Sequence, residues 1–408
     1  MRIRSITCFY NPIGEKADLD LQHLGKFAQK AKHCFNNAGF EVQSTRLATS
    51  PFSLFLHNRE NSKLIRFARH LEQRAAELGF NYLSLGPALP ENPLSFKVIP
   101  AILADTKNVF LSAIIGDKKH GISIKAIRDC AKIIQDNSTI IEDGFANLRF
   151  AALANVQPFT PFFPAAYGKG KKMRFALAIE CADVAVSAFQ KSATLLEGRK
   201  LLLQILEKGA RQLTKIAKRV AEKYNVFFKG FDFSLAPFPQ DWCSLGKALE
   251  LLGPRKLGYA GSLAAAAFLA DTLDRGKWKK VGFNGLMLPV LEDNILAART
   301  AEGTLGVYDL LQYSAVCGTG LDTVPLPGSI TPKEITPLLL DISALALRLD
   351  KPLTARLMPI PGKQAGEPTN FDFDFFANGK VLDYSVKPLQ GLLNKNDVFS
   401  IGRRKRNP

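Results

Sequence analysis

Arg2-Ile3-Arg4-Ser5-Ile6-Thr7-Cys8-Phe9-Tyr10 alternates polar and apolar side chains, and Leu21, Leu24, Phe27, Ala28, Ala31, Phe35 and Ala38 follow at helical spacing up to Gly39. The first run reads as a half-buried strand and the second as an amphipathic helix that Gly39 stops. Phe40 to Leu47 reads as the next strand. The chain therefore opens on strand, helix, strand, which is the unit of a parallel sheet with helices outside it.

The rhythm continues. Leu64, Ile65, Ala68, Leu71, Ala75 and Leu78 make a second helix ending at Gly79, and a strand follows at Tyr82 to Leu85. A helix through Ile99 and Leu103 leads to Val109 to Ile115, the best buried-strand run of this half. Further on, Arg174 to Glu180 is a strand, Thr194 to Tyr224 a long helix, and Phe227 to Leu235 a strand. Short helices cover Leu245 to Leu252 and Ser262 to Leu273, and Leu286 to Val290 reads as a strand. Thr331-Pro332-Lys333-Glu334 starts a helix, with proline in its first turn and glutamate placed for a capping box; it ends near Leu349. Leu353 to Ile360 is a strand, and Asn378-Gly379 between Phe371 to Phe376 and Lys380 to Tyr384 signals a β-hairpin. A mainly parallel α/β sheet, open or closed into a barrel, is the expected fold class, with functional groups in loops at the carboxyl ends of strands.

At 408 residues and 47% hydrophobic content, the chain can bury a large core. No run of about eighteen apolar residues occurs, and the opening Met1-Arg2-Ile3-Arg4 reads as a strand rather than a secretion signal, so a cytoplasmic location is expected, without a membrane partner. The six cysteines show no paired spacing and no cluster with histidine, which argues for reduced, buried thiols over a disulfide or zinc framework. The net charge of +17 lies mostly on amphipathic helices, with denser spots at Lys169 to Lys172, Arg275 to Lys280 and Arg403 to Arg406. No nucleic-acid signature accompanies it, and aromatics are not interleaved with the basic clusters. A solvated surface favouring acidic metabolites is expected, with no specific nucleic-acid partner.

Several positions could carry chemistry. Cys317, in Val316-Cys317-Gly318-Thr319-Gly320-Leu321-Asp322, is the only cysteine in a glycine-flanked stretch; it reads as a nucleophile or as a small hydrophobe under a turn. Gly318 and Gly320 would bring backbone close to a ligand, and Asp322 would bind a metal or substrate hydroxyl, or cap a turn. Glu292 and Asp293 are adjacent carboxylates at a strand end; they could hold a divalent cation such as Mg²⁺, or mark a helix N-terminus. Asp232 and Ser234 share one face of an otherwise apolar strand, as catalytic or substrate-binding groups or as a hydrogen-bond anchor. Gly261 and Ser262, after Gly258, open a small-residue helix whose amides could meet an anion. His120, beside Gly121, could contact substrate or lie at the surface.

Some of these stretches also carry a resemblance. Asp232 to Pro239, Gly258 to Ala265, Gly285 to Asp293 and Cys317 to Asp322 occur in that order, with Ile3 to Thr7 at the start and Gly116 and Gly121-Ile122 between. Together they resemble the family of uncharacterised proteins called DUF711, or UPF0210, over residues 3 to about 362. The resemblance implies a large α/β barrel like that of pyruvate formate-lyase-like glycyl radical enzymes, with a loop threaded into its centre; Cys317 would be the counterpart of that loop's cysteine. No arginine-valine-x-glycine-tyrosine segment occurs near the end, so no glycyl radical is expected. His120 replaces a small residue, the basic charge is high for the family, and its C-terminal glycine-rich stretch is missing.

These readings imply one barrel domain over 1–362, a hairpin and extension packed on it over 363–400, and a basic tail over 401–408. Two functional classes follow: an enzyme binding a small polar or anionic metabolite in the barrel pocket, or a non-catalytic metabolite-binding or regulatory protein on the same barrel. The aromatic hairpin would suit a homo-oligomeric interface.

Overall fold

The computed structural model describes residues 1–54 and 61–403, so most of the basic tail lies outside the described residues. In the first half, β1 (Arg2–Tyr10), α1 (Ala17–Asn37), β2 (Thr45–Thr49), α2 (Asn61–Glu77), β3 (Tyr82–Ala88), α3 (Leu94–Lys97) and α4 (Ile99–Asp105) alternate. Then come β4 (Val109–Asp117), β5 (Gly121–Ser123), α5 (Ile124–Ser138) and β6 (Phe150–Ala154). The second half holds β7 (Arg174–Glu180), α6 (Ala182–Gln190), α7 (Leu195–Tyr224), β8 (Phe227–Ala236), α8 (Leu245–Glu250) and α9 (Ser262–Asp274). It ends with α10 (Asn294–Ala301), α11 (Val307–Ser314), β9 (Gly320–Pro327), α12 (Pro332–Arg348), β10 (Leu353–Ile360) and β11 (Val398–Phe399).

One 11-stranded mixed sheet carries the fold, in the order β8-β7-β1-β2-β3-β4-β6-β10-β9, with β5 and β11 paired off β4. From β1 through β6 this path is parallel, as strand-helix alternation requires. β7 and β8 are parallel to each other and antiparallel to β1; β9 and β10 are parallel to each other, with β10 antiparallel to β6. A central parallel group, β1-β2-β3-β4-β6, is thus flanked by the parallel pairs β7–β8 and β10–β9, which both run the other way, at two antiparallel seams.

The named strands form an open ladder with β8 and β9 at its ends, not the closed barrel expected. Between those ends runs the stretch 280–290, which makes only single bridges, Lys280 to Phe231 and Pro289 to Asp322. The reason is local. Gly282 and Asn284 take positive φ, 80° and 46°, and turn the chain, while Pro289 has no N–H to donate. Leu286 to Val290 is accordingly not a regular strand.

The main core lies between sheet and helices: Ile6, Cys8, Leu47, Leu83, Leu111 and Leu177 pack against Leu24, Phe27, Phe35, Leu71, Ile127 and Leu213. The opposite face of the sheet is filled by the connection 155–168. Phe159, Phe163 and Ala166 pack with Phe9, Ala48 and Ala176, and Val156, Ala165 and Tyr167 pack with Ala151 and Leu153. Its backbone is held by inward hydroxyls, Thr7 Oγ1 donating to Pro161 O at 2.7 Å and Ser84 Oγ to Ala166 O at 2.7 Å. This inner connection contains no cysteine.

The expected hairpin at Phe371 to Tyr384 is replaced by an irregular loop. Residues 366–369 pair with 379–381, through Gly366 N to Val381 O at 2.9 Å and Thr369 N to Gly379 O at 3.0 Å. Asn378 does not make a turn; its side chain closes the loop on Phe371, accepting from that N–H at 2.8 Å and donating to that carbonyl at 3.0 Å. Phe371 and Phe376 bury against Leu148, Leu291 and Met358. At α12 the Glu334 carboxylate accepts from the Thr331 N–H at 2.9 Å, as the capping pattern predicts. Among the described residues no helix is long and apolar enough to cross a membrane.

Thr7→Val keeps the shape of the side chain and removes its bond to the inner connection. It is expected to lower stability by about 1–2 kcal/mol, read as a lower urea midpoint with unchanged slope. A loss of less than half that would mean that packing alone holds the connection.

Candidate functional site

The antiparallel seams bring the amino ends of β1 to β4 to the same end of the sheet as the carboxyl ends of β7 and β8. A cavity of about 570 Å³ opens there, lined by Arg4, Arg46, Tyr82 and Phe110 from the central group, by Asp322 and Arg356 from β9 and β10, and by Glu292 from the segment before α10. Phe145, Phe163, Phe373 and Phe375 complete an aromatic wall.

The charged side chains form a chain of ion pairs. Arg356 Nε donates to Asp322 Oδ1 at 2.5 Å and its Nη2 to Glu292 Oε1 at 2.7 Å. Arg4 then joins Glu292 Oε2 at 3.0 Å to Glu180 Oε2 at 3.1 Å, and Arg2 lies 2.7 Å from Glu180 Oε1. Gln43 Nε2 adds a bond to Glu180 at 2.8 Å. Asp322 and Arg356 are both buried. Desolvation raises the Asp322 carboxyl above the ordinary range and Glu292 adds to that, partly offset by Arg356. Burial alone would lower the Arg356 pKa, yet Asp322 and Glu292 hold it above its usual value.

Arg46 differs from its neighbours. Its Nε donates to Ser44 Oγ at 3.0 Å, and its guanidinium lies 5.6 Å from the Tyr82 ring and 5.2 Å from the Phe163 ring. Among the described residues no carboxylate stands within ion-pair distance of it. Burial, with repulsion from Arg4 and Arg356, pulls its pKa down to about 9 despite attraction to Glu292. The side chain remains partly accessible from the cavity. Two aromatic faces and one hydroxyl therefore hold a cation with both terminal nitrogens free.

Of the positions singled out in the sequence, the cavity collects Asp322 and Glu292. Glu292 and Asp293 diverge. Asp293 caps α10, accepting from Ile295 N and Leu296 N at 3.0 and 3.2 Å, and also from Ser244 Oγ at 2.6 Å and Gly246 N at 3.0 Å. Burial raises its pKa against those bonds. Among the described residues no three His, Cys, Asp or Glu side chains are grouped to hold a metal ion.

The others lie elsewhere. Asp232 is fully buried and accepts from Ser234 Oγ at 2.5 Å, Phe283 N at 2.7 Å and Asn284 N at 2.9 Å, so it fixes the turn between β8 and β9. Gly282 fits there because a Cβ would come within 2.2 Å of the Asp232 carboxylate. Cys317 is buried in the main core, and Gly318 rests against Gly285, where a Cβ would meet backbone at 2.8 Å. All six cysteines are free and five are buried. Gly320 lies against the Thr354 backbone in β10. Gly261 opens α9 at the surface, and Ser262 Oγ donates to Tyr259 O at 2.8 Å. His120 is exposed, 2.9 Å from Asp117 and 3.2 Å from Glu91.

Sequence reading passed over Arg4, Arg46, Arg356, Glu180 and the phenylalanines at 373 and 375. The first three carry the signal that singled out Asp232, a charge inside an apolar strand run, as in Thr45-Arg46-Leu47-Ala48 and Thr354-Ala355-Arg356-Leu357-Met358.

Fold and site together define a mixed α/β protein with an ion-paired cavity where two parallel strand groups meet. The chain belongs to the family whose model is described as Uncharacterised ACR (DUF711), which matches residues 1–378. It is 29% identical to a UPF0210 protein of Syntrophobacter fumaroxidans over 353 residues, covering 82% of this chain and 77% of that protein. A UPF0210 protein of Oenococcus oeni is 26% identical over 393 residues, covering 93% and 86%, and one of Pyrobaculum arsenaticum is 29% identical over 355 residues, covering 83% and 78%.

Two substitutions test the buried charges. Arg356→Met strands two carboxylates and is expected to cost about 3–5 kcal/mol at pH 7 and less at pH 5, because burial already raises the Asp322 pKa and Arg356 no longer opposes it. An equal loss at both pH values would count against it. Burial raises the Asp232 pKa to about 6, so the folded state binds its proton more tightly than the unfolded chain. Stability from this group is present below pH 4 and lost as pH rises through 6, by about 3 kcal/mol. Asp232→Asn is expected to flatten that part of the stability profile while lowering stability throughout, because its amide meets a backbone N–H.

Proposed function

We propose that this chain is a cytoplasmic enzyme that binds a small anionic metabolite in the cavity beside Arg46. The observation that carries this reading is the Arg46 guanidinium, seated between two rings without a carboxylate among the described residues to neutralise it. Every other arginine of the cavity is engaged: Arg4 and Arg356 with carboxylates, Arg149 with the carbonyl oxygens of Leu103, Thr106 and Val109. An incoming anion completes the set, and the desolvation that lowers the Arg46 pKa strengthens the attraction once the anion is bound.

Asp322 is the acid–base group of this proposal. Burial raises its pKa while Arg356 stabilises the charged form, and it faces the same cavity as Arg46. In the proposed architecture the stretch 280–290 stands between β8 and β9 as the strand that completes a barrel. Its bridges to both strands are parallel, giving a second five-stranded parallel group opposite β1, β2, β3, β4 and β6.

The test is thermal stability of the pure protein with carboxylated and phosphorylated metabolites. A bound anion at about a hundredfold over its Kd is expected to add about 2.7 kcal/mol, and Arg46→Met to abolish that rise. Because Arg46 is repelled by Arg4 and Arg356 and has no ion pair among the described residues, the substitution itself is expected to leave unliganded stability within about 1 kcal/mol of the parent. A ligand-dependent rise that persists in Arg46→Met would remove Arg46 from the site.

A further inference from the structure

We infer that the anion is a monocarboxylate with a flat apolar body, held by its head on Arg46 and by its body against the aromatic wall. This rests on the cavity reading above and narrows it. Charge is the first argument. Among the charged side chains of the lining, Arg4, Arg46, Arg149, Arg356 and Lys107 outnumber Glu292 and Asp322, and Arg2 and Glu180 continue the chain of pairs behind them. Glu41 reaches Arg2 only at 3.8 Å from the exposed side. This surplus of cations draws an anion to Arg46, and the Arg46 fork and the aromatic lining set its class.

Geometry is the second argument. With Nε bound to Ser44, the Arg46 fork has two terminal nitrogens for which no acceptor exists among the described residues. Two parallel N–H donors match the two oxygens of one carboxylate. Arg4, Arg149 and Arg356 each already donate three bonds to protein acceptors, so Arg46 is the cavity guanidinium whose whole terminal fork is open to a ligand among the described residues.

The third argument is the wall. Around Arg46, Phe110 lies edge-on to Tyr82 and Phe163 at 5.5 and 5.3 Å, and beyond them Phe373 stands 5.0 Å from Phe145 and 5.3 Å from Phe375. Leu103, Ile140 and Leu148 fill the gaps. Such a lining rewards a body that stacks, since aromatic pairs gain beyond the area they bury. Phe373 and Phe375 come from the loop that Asn378 closes, so that loop selects the body while β2 selects the head.

The experiment is calorimetric titration of the full chain with phenylacetate, acetate and inorganic phosphate, repeated on Arg46→Met, Phe373→Ala and the milder Phe373→Leu. Expected is phenylacetate binding at least tenfold tighter than acetate, weakened about a hundredfold in Arg46→Met and about tenfold in Phe373→Ala, with acetate indifferent to Phe373. If Phe373→Ala unfolds, Phe373→Leu and the ranking on the parent protein decide. Phosphate binding tighter than phenylacetate, or phenylacetate binding no tighter than acetate, overturns the monocarboxylate class and leaves the anion cavity standing. Binding of none of the three overturns both.

Discussion

Arg356 is the side chain on which the arrangement of the interior turns. It stands on β10 and holds Asp322 of β9 and Glu292 of the stretch before α10, and Glu292 passes the connection through Arg4 to β1 and Glu180 of β7. Ion pairs so deeply placed add little net stability, because each charge gives up its water. Their effect is on uniqueness. A slip of one residue in β9, β10 or β1 would turn a charge toward the helices and leave its partner bare in the interior. The chain of pairs therefore fixes the register of strands that hydrogen bonds alone would allow to slide.

The same pairs explain why the cavity sits where it does. Glycine-rich loops at strand carboxyl ends were the expected location, by the rule for parallel sheets. Here two parallel groups run in opposite senses, so each end of the sheet mixes the amino ends of one with the carboxyl ends of the other. Arg4, Arg46, Tyr82 and Phe110 come from strand starts, where the rule does not look. The glycine-flanked Cys317 lies before β9 in the main core, and the glycines beside it serve close backbone approach, Gly318 to Gly285 and Gly320 to Thr354.

Much of the fold was legible because burial imposes a period. β1, α1, α7, β7, β8, α12 and β10 follow their apolar patterns closely. The pattern of Phe40 to Leu47 implies one strand, yet β2 begins at Thr45, because only Val42 of the earlier residues bridges to β1. β6, Phe150–Ala154, was passed over, since five buried residues without alternation look the same in a strand or a helix. The Asn378-Gly379 pair misled because the Asn378 side chain satisfies the Phe371 backbone across a loop, a bond that local turn preference does not register. Of the site, Asp322 and Glu292 could be picked out as polar residues beside strands. Their meaning could not, because it depends on Arg4 and Arg356, far away in sequence and brought near only by the two seams.

The inner connection 155–168 and the loop bearing Phe373 and Phe375 enclose the charges from opposite ends of the chain's history. A growing chain presents its amino-terminal half first. Arg4 and Arg46 lie in the first half with β1 and β2, the inner connection follows in sequence, and Glu180, Glu292 and Asp322 come after it. Phe373 and Phe375 come last. Until they do, the ion pairs assemble in contact with water, which screens mismatched charges and lets partners exchange. With the aromatic wall last in sequence, closing the cavity after its charged strands are made would dry a network whose partners are all already present.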